Sequence, residues 1–177
     1  MRVTFEKTGL RRYGVVVQRE RAPELVMHPA PGYDDYLPHD LLHFVAEAEW
    51  KLNGAVFGQL AAGGDAGTFR PVDQSLVARA MRDRKRRKRR AGKPKGRRSE
   101  VLADILEHAW NARHGREPLP RDWKEQLESA RVASERVDLV INRLDKLAER
   151  WHSLQIGEQL TLEWPRYAPD PRRGQTQ

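Results

Sequence analysis

The chain contains no cysteine and no long uncharged hydrophobic run. The first absence excludes disulfides and thiolate metal sites, so any metal site must use histidine and carboxylate ligands. The second leaves no segment that is apolar enough to span a bilayer, and residues 1–7 carry charges where a signal peptide is apolar. We therefore expect a soluble cytoplasmic protein.

Positive charge is concentrated in one segment. The net charge is +8, but residues 82–98 contain twelve lysines and arginines and one aspartate. The remaining 21 basic and 24 acidic residues give a net charge of −3. A chain of 177 residues is long enough for one domain with a real core. We expect a mildly acidic globular domain that carries one very basic segment.

Short strands are predicted near both ends of the chain. Apolar residues alternate with polar ones around Val3 and Phe5, β-branched residues fill 15–17, and 25–27 is again apolar. Near the other end, residues 159–164 place Leu160, Leu162 and Trp164 on one face. This last strand is expected beside the N-terminal strands, so that both ends of the chain lie in one small antiparallel sheet.

A helix that begins at Pro38 carries most of the side chains capable of chemistry, since proline suits the first helical position, where its missing N–H would have no partner. Its predicted core face contains Leu41, Phe44, Val45, Ala48 and Leu52. The opposite side contains His39, His43, Glu47 and Trp50, with Asp40 at its margin. These polar residues face solvent, a pocket or a second layer of structure. An ordinary solvated helix face is one alternative, since a His43–Glu47 pair is common on helix surfaces.

The second alternative is a metal site. Two histidines four residues apart on a helix can bind one metal ion, as in zinc enzymes with a His-Glu-x-x-His helix. Asp40 stands where those enzymes have their glutamate. In this alternative His39 and His43 would bind one divalent metal, zinc or manganese, while Asp40 or Glu47 handles protons. An acid–base role without a metal is the third alternative. Candidates for a third ligand lie elsewhere in the chain: His28, Asp34, Asp35, Asp65 and His152.

Two families share fragments of this pattern. The residues from His39 to His43 resemble the zinc motif of a ubiquinone-biosynthesis protein family, which implies zinc binding. That motif has a glutamate twelve residues after its second histidine, where this chain has Ala55. The His39-Asp40 pair is also similar to that of metal-dependent phosphohydrolases, whose other ligands have no counterpart here on a matching helical array.

Helices are predicted for most of the remaining chain. The helix that begins at Pro38 extends to about Ala62, and Asn53-Gly54 ends it or splits it in two. Another helix begins near Asp73 or Ser75, and its apolar stripe ends where the basic residues begin at Arg82. Ser99 is predicted to cap a helix that extends to about His114. One long helix is then predicted over 123–151, because apolar residues recur there at alternating spacings of four and three: Trp123, Leu127, Ala130, Ser134, Val137, Ile141, Leu144, Ala148 and Trp151. Its partner is the preceding helix, which we favour, or a second subunit in a homodimer.

The basic segment supports a different function. Lysine and arginine at this density bind phosphates by releasing counterions, and the segment contains no aromatic residue for base stacking. Binding would therefore be to RNA or DNA backbone with little sequence preference. An anionic membrane surface, an acidic protein, a nuclear-localisation role and a partnerless linker are alternatives. The expected contact residues are Arg84, Lys85, Arg86, Arg87, Lys88, Arg89, Arg90, Lys93, Lys95, Arg97 and Arg98.

Together these patterns predict an α+β fold. We expect a small antiparallel sheet packed on the His39 helix and on a long C-terminal helical hairpin. Residues 1–81 and 99–164 would form one domain, 82–98 an exposed basic linker, and 165–177 a disordered tail. The first functional hypothesis is nonspecific binding of nucleic-acid backbone. A metal-dependent hydrolase, nuclease-like if it uses both features, is the second, and a helical interaction module is the third.

Overall fold

A computed structural model describes residues 1–20, 22–31, 36–88 and 96–166, with the backbone alone for 84–88. In this part of the chain an antiparallel sheet of five strands packs against helices. The predicted α+β class is confirmed. No helix among the described residues is long and apolar enough to cross a membrane.

The sheet brings the two ends of the chain together. Its strands are β1 (Arg2–Gly9), β2 (Arg12–Arg19), β3 (Ala22–Met27), β4 (Arg70–Pro71) and β5 (Gln159–Glu163), in the order β4-β3-β2-β1-β5. Phe5 lies opposite Val15 on one side and Leu160 on the other, and all three are buried. The period-two pattern therefore gave the correct buried face, and the predicted pairing of the last strand with the first is confirmed.

Six helices lie in the described residues. They are α1 (His39–Glu49), α2 (Val56–Ala61), α3 (Gln74–Lys88), α4 (Arg97–Arg113), α5 (Trp123–Ala130) and α6 (Ser134–Ser153). The predicted split near Asn53-Gly54 is confirmed by the separation of α1 from α2. Helix α1 is central: Phe44 makes an edge-to-face contact with Phe5 of the sheet, while the other side of α1 packs against α4.

The prediction of one helix over 123–151 is wrong. The chain leaves the helix at Arg131, which adopts a left-handed conformation with φ of 54°, and a new helix begins at Ser134. This turn places Val132 in the core, where its N–H bonds to the carbonyl of Leu127. Burial of Val132 thus outweighs continuation of the helix. The later seam residues, from Val137 to Trp151, are buried, and α6 packs on α4 as the intramolecular alternative predicted.

The predicted ends of the basic segment also differ from the structure. Helix α3 continues to Lys88 and α4 begins at Arg97, so helix extends into both ends of the predicted 82–98 linker. Residues 89–95 lie outside the described part of the chain. Ser99 is not a helix cap, because Gly96 occupies that position and Ser99 is buried inside α4. Most of the predicted 165–177 tail also falls outside the described residues, although Arg166 pairs with Glu20.

Candidate metal centre

His39 and His43 lie one turn apart at the start of α1, and their side chains converge. The two Nε2 atoms are 3.1 Å apart, and the rings meet edge to face with centroids separated by 4.7 Å. His39 is half-buried, whereas His43 is only 6% exposed. The helical spacing predicted this convergence correctly.

Glu100 of α4 completes a group of three potential ligands. Its Oε2 lies 3.4 Å from His43 Nε2, and the ligand atoms of His39, His43 and Glu100 all lie within 4.8 Å of one another. Among the described residues, no other group of three histidine or carboxylate side chains is arranged in this way. The packing of α4 on α1 brings Glu100 to a position that sequence spacing does not reveal.

Two of the three distances between these atoms suit neighbouring ligands of one tetrahedral ion. With bonds of about 2.0 Å from zinc to nitrogen or oxygen, neighbouring ligand atoms of a tetrahedron lie about 3.3 Å apart. The observed separations of 3.1 Å and 3.4 Å bracket that value. The outer side of the group is open, because the Glu100 side chain is 64% exposed. Solvent can therefore reach the group from that side.

Electrostatics around His43 favour a cation. Burial lowers the pKa of His43, which keeps the imidazole neutral, while the negative charges of Glu100, Asp40 and Asp104 act in the opposite direction. A neutral imidazole is the form that binds metal. The site therefore combines an uncharged histidine with nearby carboxylates whose charge attracts a cation.

A chain of hydrogen bonds lies behind His43, on the side away from the ligand group. His43 Nδ1 is 2.9 Å from the hydroxyl of Ser99, which donates to Glu47 Oε1 over 2.9 Å. Ser99 and Glu47 are both buried, with Glu47 fully excluded from solvent. The alternative in which this face of α1 is ordinary solvated surface is wrong, since α4 covers it.

Glu47 also holds the beginning of α2. Its Oε1 accepts the N–H of Val56 over 3.1 Å, and its Oε2 accepts those of Phe57 and Gly58 over 2.7 and 3.2 Å. Burial raises the pKa of Glu47 to about 7, and the four donated hydrogen bonds oppose that rise. One carboxylate thus links α1, the first turn of α2 and, through Ser99, α4.

Asp40 lies beside the ligand group and is held by the sheet. Its Oδ2 accepts the hydroxyl of Tyr13 over 2.6 Å. Burial raises the pKa of Asp40, while the Tyr13 hydrogen bond and the nearby His43 and His39 act to lower it. A raised pKa makes the ionised Asp40 carboxylate a stronger proton acceptor than an ordinary aspartate.

A serine–histidine–glutamate combination is also a possible nucleophilic triad, but its arrangement here does not fit that role. Ser99 is 2% exposed, so a substrate cannot reach its hydroxyl. Its proton points to Glu47 instead of to His43. In a triad the histidine accepts the proton of the serine.

The other predicted third ligands that the structure describes lie elsewhere. His152 Nε2 is 2.6 Å from the carbonyl of Tyr36, Asp65 accepts the N–H of Gly67, and His28 packs against Gly14. None of these three belongs to the ligand group. Asp34 and Asp35 lie outside the described residues. Of the basic residues, Arg97 and Arg98 are exposed in the first turn of α4, immediately before Ser99 and Glu100.

The positions of the remaining basic residues are described only in part. The backbone of 84–88, which includes Arg84, Lys85, Arg86, Arg87 and Lys88, forms the end of α3. Arg89, Arg90, Lys93 and Lys95 lie outside the described residues.

Comparison of the chain with protein-family models, with curated proteins and with solved structures found no match.

Proposed function

We propose that this chain is a divalent-metal protein, with zinc bound by His39, His43 and Glu100. The observation that carries the proposal is the meeting of three ligand atoms within 4.8 Å, from two helices, beside additional negative charge. Two imidazoles and one carboxylate are a ligand set that zinc enzymes use, whereas manganese favours sites richer in oxygen. Zinc is therefore the better fit of the two metals.

The class of activity that this centre supports is metal-assisted hydrolysis. Three protein ligands leave one position for water, and zinc lowers the pKa of bound water to about 7 in such sites. Asp40 is the residue assigned to accept the proton from that water, because it lies beside the ligands, burial raises its pKa and the hydroxyl of Tyr13 holds its carboxylate in place. Glu47 has no such role in this proposal, since four donors already occupy its oxygens.

The test is calorimetric titration of zinc and of manganese into protein freed of metal by a chelator. We expect one zinc equivalent per chain, much weaker manganese binding, and loss of zinc binding in His39→Ala/His43→Ala. His108→Ala is the matched control, because it removes a histidine of α4 outside the ligand group and should bind zinc as before. Equal zinc binding by the double variant would contradict the proposal.

Catalysis is tested separately with activated carboxylic and phosphate esters. Hydrolysis should require added zinc and, at zinc concentrations that saturate both proteins, should fall by at least tenfold in Asp40→Asn, in keeping with general-base contributions of about 10²–10⁴. If the protein binds zinc but hydrolyses neither class of ester in a zinc-dependent way, the proposed hydrolytic activity is refuted and only the proposed zinc binding stands.

Binding of a polyanion remains a second proposal, favoured by the position of Arg97. This residue lies three positions before Glu100 on exposed helix, so one residue of the basic segment shares a face of α4 with a proposed metal ligand. A nucleic-acid backbone held by residues 84–98 would thereby lie close to the metal, as a nuclease requires.

Gel-shift assays test this second proposal. Deletion of residues 84–98 would remove the end of α3 and the first turn of α4, so replacement of their lysines and arginines by glutamine is the cleaner variant. The intact protein should bind RNA or DNA with affinity that falls steeply with salt. Unchanged binding by the neutralised variant would refute it.

The third proposal, a homodimer through residues 123–151, would have to use the outer face of α6, where Leu139 is 62% exposed. A molar mass that rises with concentration in light scattering would support it.

A further inference from the structure

The hydrogen-bond chain behind His43 has a definite direction. A serine hydroxyl carries one proton, and the proton of Ser99 is donated to Glu47. Toward His43 the hydroxyl oxygen can therefore only accept, and the atom 2.9 Å away on that side is His43 Nδ1. The imidazole proton must lie on Nδ1 for this contact to be a hydrogen bond.

That placement of the proton decides what His43 presents to the ligand group. A neutral imidazole with its proton on Nδ1 has its lone pair on Nε2. Nε2 is the atom that faces His39 Nε2 at 3.1 Å and Glu100 Oε2 at 3.4 Å. The lone pair is thus directed at the position where the three ligand atoms converge, before any metal arrives.

Glu47 is the origin of this direction. Its two oxygens accept four hydrogen bonds, from the hydroxyl of Ser99 and from the backbone N–H groups of Val56, Phe57 and Gly58. Only a carboxylate accepts from all four. The N–H groups of α2 therefore require Glu47 to be an acceptor, and Glu47 requires Ser99 to donate its proton to it. Ser99 can then only accept from His43, which must donate from Nδ1.

We infer that Ser99 and Glu47 are positioning residues, which hold His43 with its proton on Nδ1 and its Nε2 lone pair directed at the metal. This inference rests on the proposed metal centre. Partners that orient a metal-binding histidine in this way typically contribute 10–100-fold to metal affinity.

Glu47→Gln is the decisive variant because it keeps the shape of the side chain and reverses the direction of the hydrogen bonds from Glu47 through Ser99 to His43. The amide oxygen accepts from Phe57 and Gly58, which places the NH₂ group at the position of Oε1, toward Ser99 and toward the N–H of Val56, whose hydrogen bond is lost. Ser99 must then accept from Gln and donate to His43 Nδ1. The His43 proton moves to Nε2, where it blocks the metal, and zinc affinity should fall 10–100-fold.

The first readout is the tautomer of His43 in metal-free protein, from ¹⁵N NMR shifts of the two ring nitrogens at about pH 8. We expect the proton on Nδ1 in the wild type, on Nε2 in Glu47→Gln, and no enforced preference in Ser99→Ala. Ser153→Ala is the matched control, since its hydroxyl bonds only to the carbonyl of Arg150 in the described structure. Thermal melts identify any variant that fails to fold, and the wild-type spectrum alone still tests the inference.

The second readout is zinc affinity, which separates this inference from the proposed function. If wild-type His43 carries its proton on Nδ1 but the protein binds no zinc, the proposed metal centre is refuted, while the inferred direction of the hydrogen bonds from His43 through Ser99 to Glu47 is supported. A wild type that binds zinc but has the His43 proton on Nε2 when metal-free would overturn the inference. Zinc affinity unchanged in folded Ser99→Ala would also overturn it.

Discussion

Gly58 occupies a position in α2 where a side chain has no room. A Cβ added there would lie 2.2 Å from the carbonyl oxygen of Leu52 and 2.6 Å from Asn53 Cα. Both are backbone atoms of the turn between α1 and α2, so no side-chain rotation can relieve the contact. In Gly58→Ala the turn and the first turn of α2 must therefore move apart by roughly 1 Å, well beyond what close-packed interiors absorb without cost.

The expected cost follows from what that movement breaks. Overpacking costs about 1–3 kcal/mol, and the same movement weakens the N–H bonds of Phe57 and Gly58 to Glu47, each worth about 1.5–3 kcal/mol to a charged acceptor. Alanine regains about 1 kcal/mol through its helix propensity. We expect a net loss of about 3 kcal/mol of unfolding free energy, or a decrease in Tm of roughly 6–12 °C for a chain of this size.

Urea and thermal unfolding of Gly58→Ala measure this loss, with Gly96→Ala as the control. Gly96 is also at the beginning of a helix, has a right-handed conformation, and has nothing within 4 Å of an added Cβ. Alanine is a poorer N-cap than glycine but meets no steric contact at this position, so Gly96→Ala should cost much less stability than Gly58→Ala. The two variants should thus differ clearly in the size of the loss. A Gly58→Ala protein as stable as the wild type would refute the close approach of α2 to the turn, and with it the geometry that holds Glu47.

Three further predictions follow from the same contacts. Zinc at about 100 times its Kd should raise the unfolding free energy by about 2.7 kcal/mol and Tm by roughly 5–11 °C in differential scanning calorimetry, and should have no such effect on His39→Ala/His43→Ala. Zinc affinity should fall as pH decreases, because protons compete with zinc for the imidazoles. Since burial lowers the pKa of His43, titration calorimetry should show that the part of this fall due to His43 occurs below pH 6.5. Tyr13→Phe should raise the pKa of Asp40 further, because it removes a hydrogen bond to the ionised carboxylate, and carbonyl ¹³C NMR titration should show the shift.

The sheet and the central helix could be predicted from the sequence because their patterns are local. Alternation around Val3, Phe5 and Leu160 gave the buried face of β1 and β5, and the requirement to bury all three brought the ends of the chain together. The spacing of His39 and His43 likewise gave their convergence on one face of α1. In each case the periodicity of one element decides the result.

The parts that were wrong or missed depend on packing between distant segments. Regular heptad spacing continues through residue 131, yet burial of Val132 turns the chain there and divides the predicted helix. Strand β4 is only two residues long and exists because it pairs with β3, so it has no pattern of its own. Both features follow from tertiary contacts that outweigh local preference.

The candidate site divides in the same way. His39 and His43 come from one helix, but Glu100 and Ser99 come from α4, more than fifty positions later, where nothing in the local sequence distinguishes them from ordinary helix residues. Ser99 preceded an apolar stripe and so resembled a helix cap. The sequence contained one indirect signal. The polar face of α1 lies opposite its apolar face, so it must contact either solvent or a second layer of structure, and α4 is that second layer.

The most direct test of the metal centre is a crystal structure of the zinc-soaked protein, with anomalous differences measured on both sides of the zinc absorption edge. The proposal predicts one strong peak within about 2.0–2.2 Å of His39 Nε2, His43 Nε2 and Glu100 Oε2. It also predicts that the peak is absent from His39→Ala/His43→Ala crystals treated identically. A zinc peak elsewhere, or no peak between these three residues at saturating zinc, would contradict it.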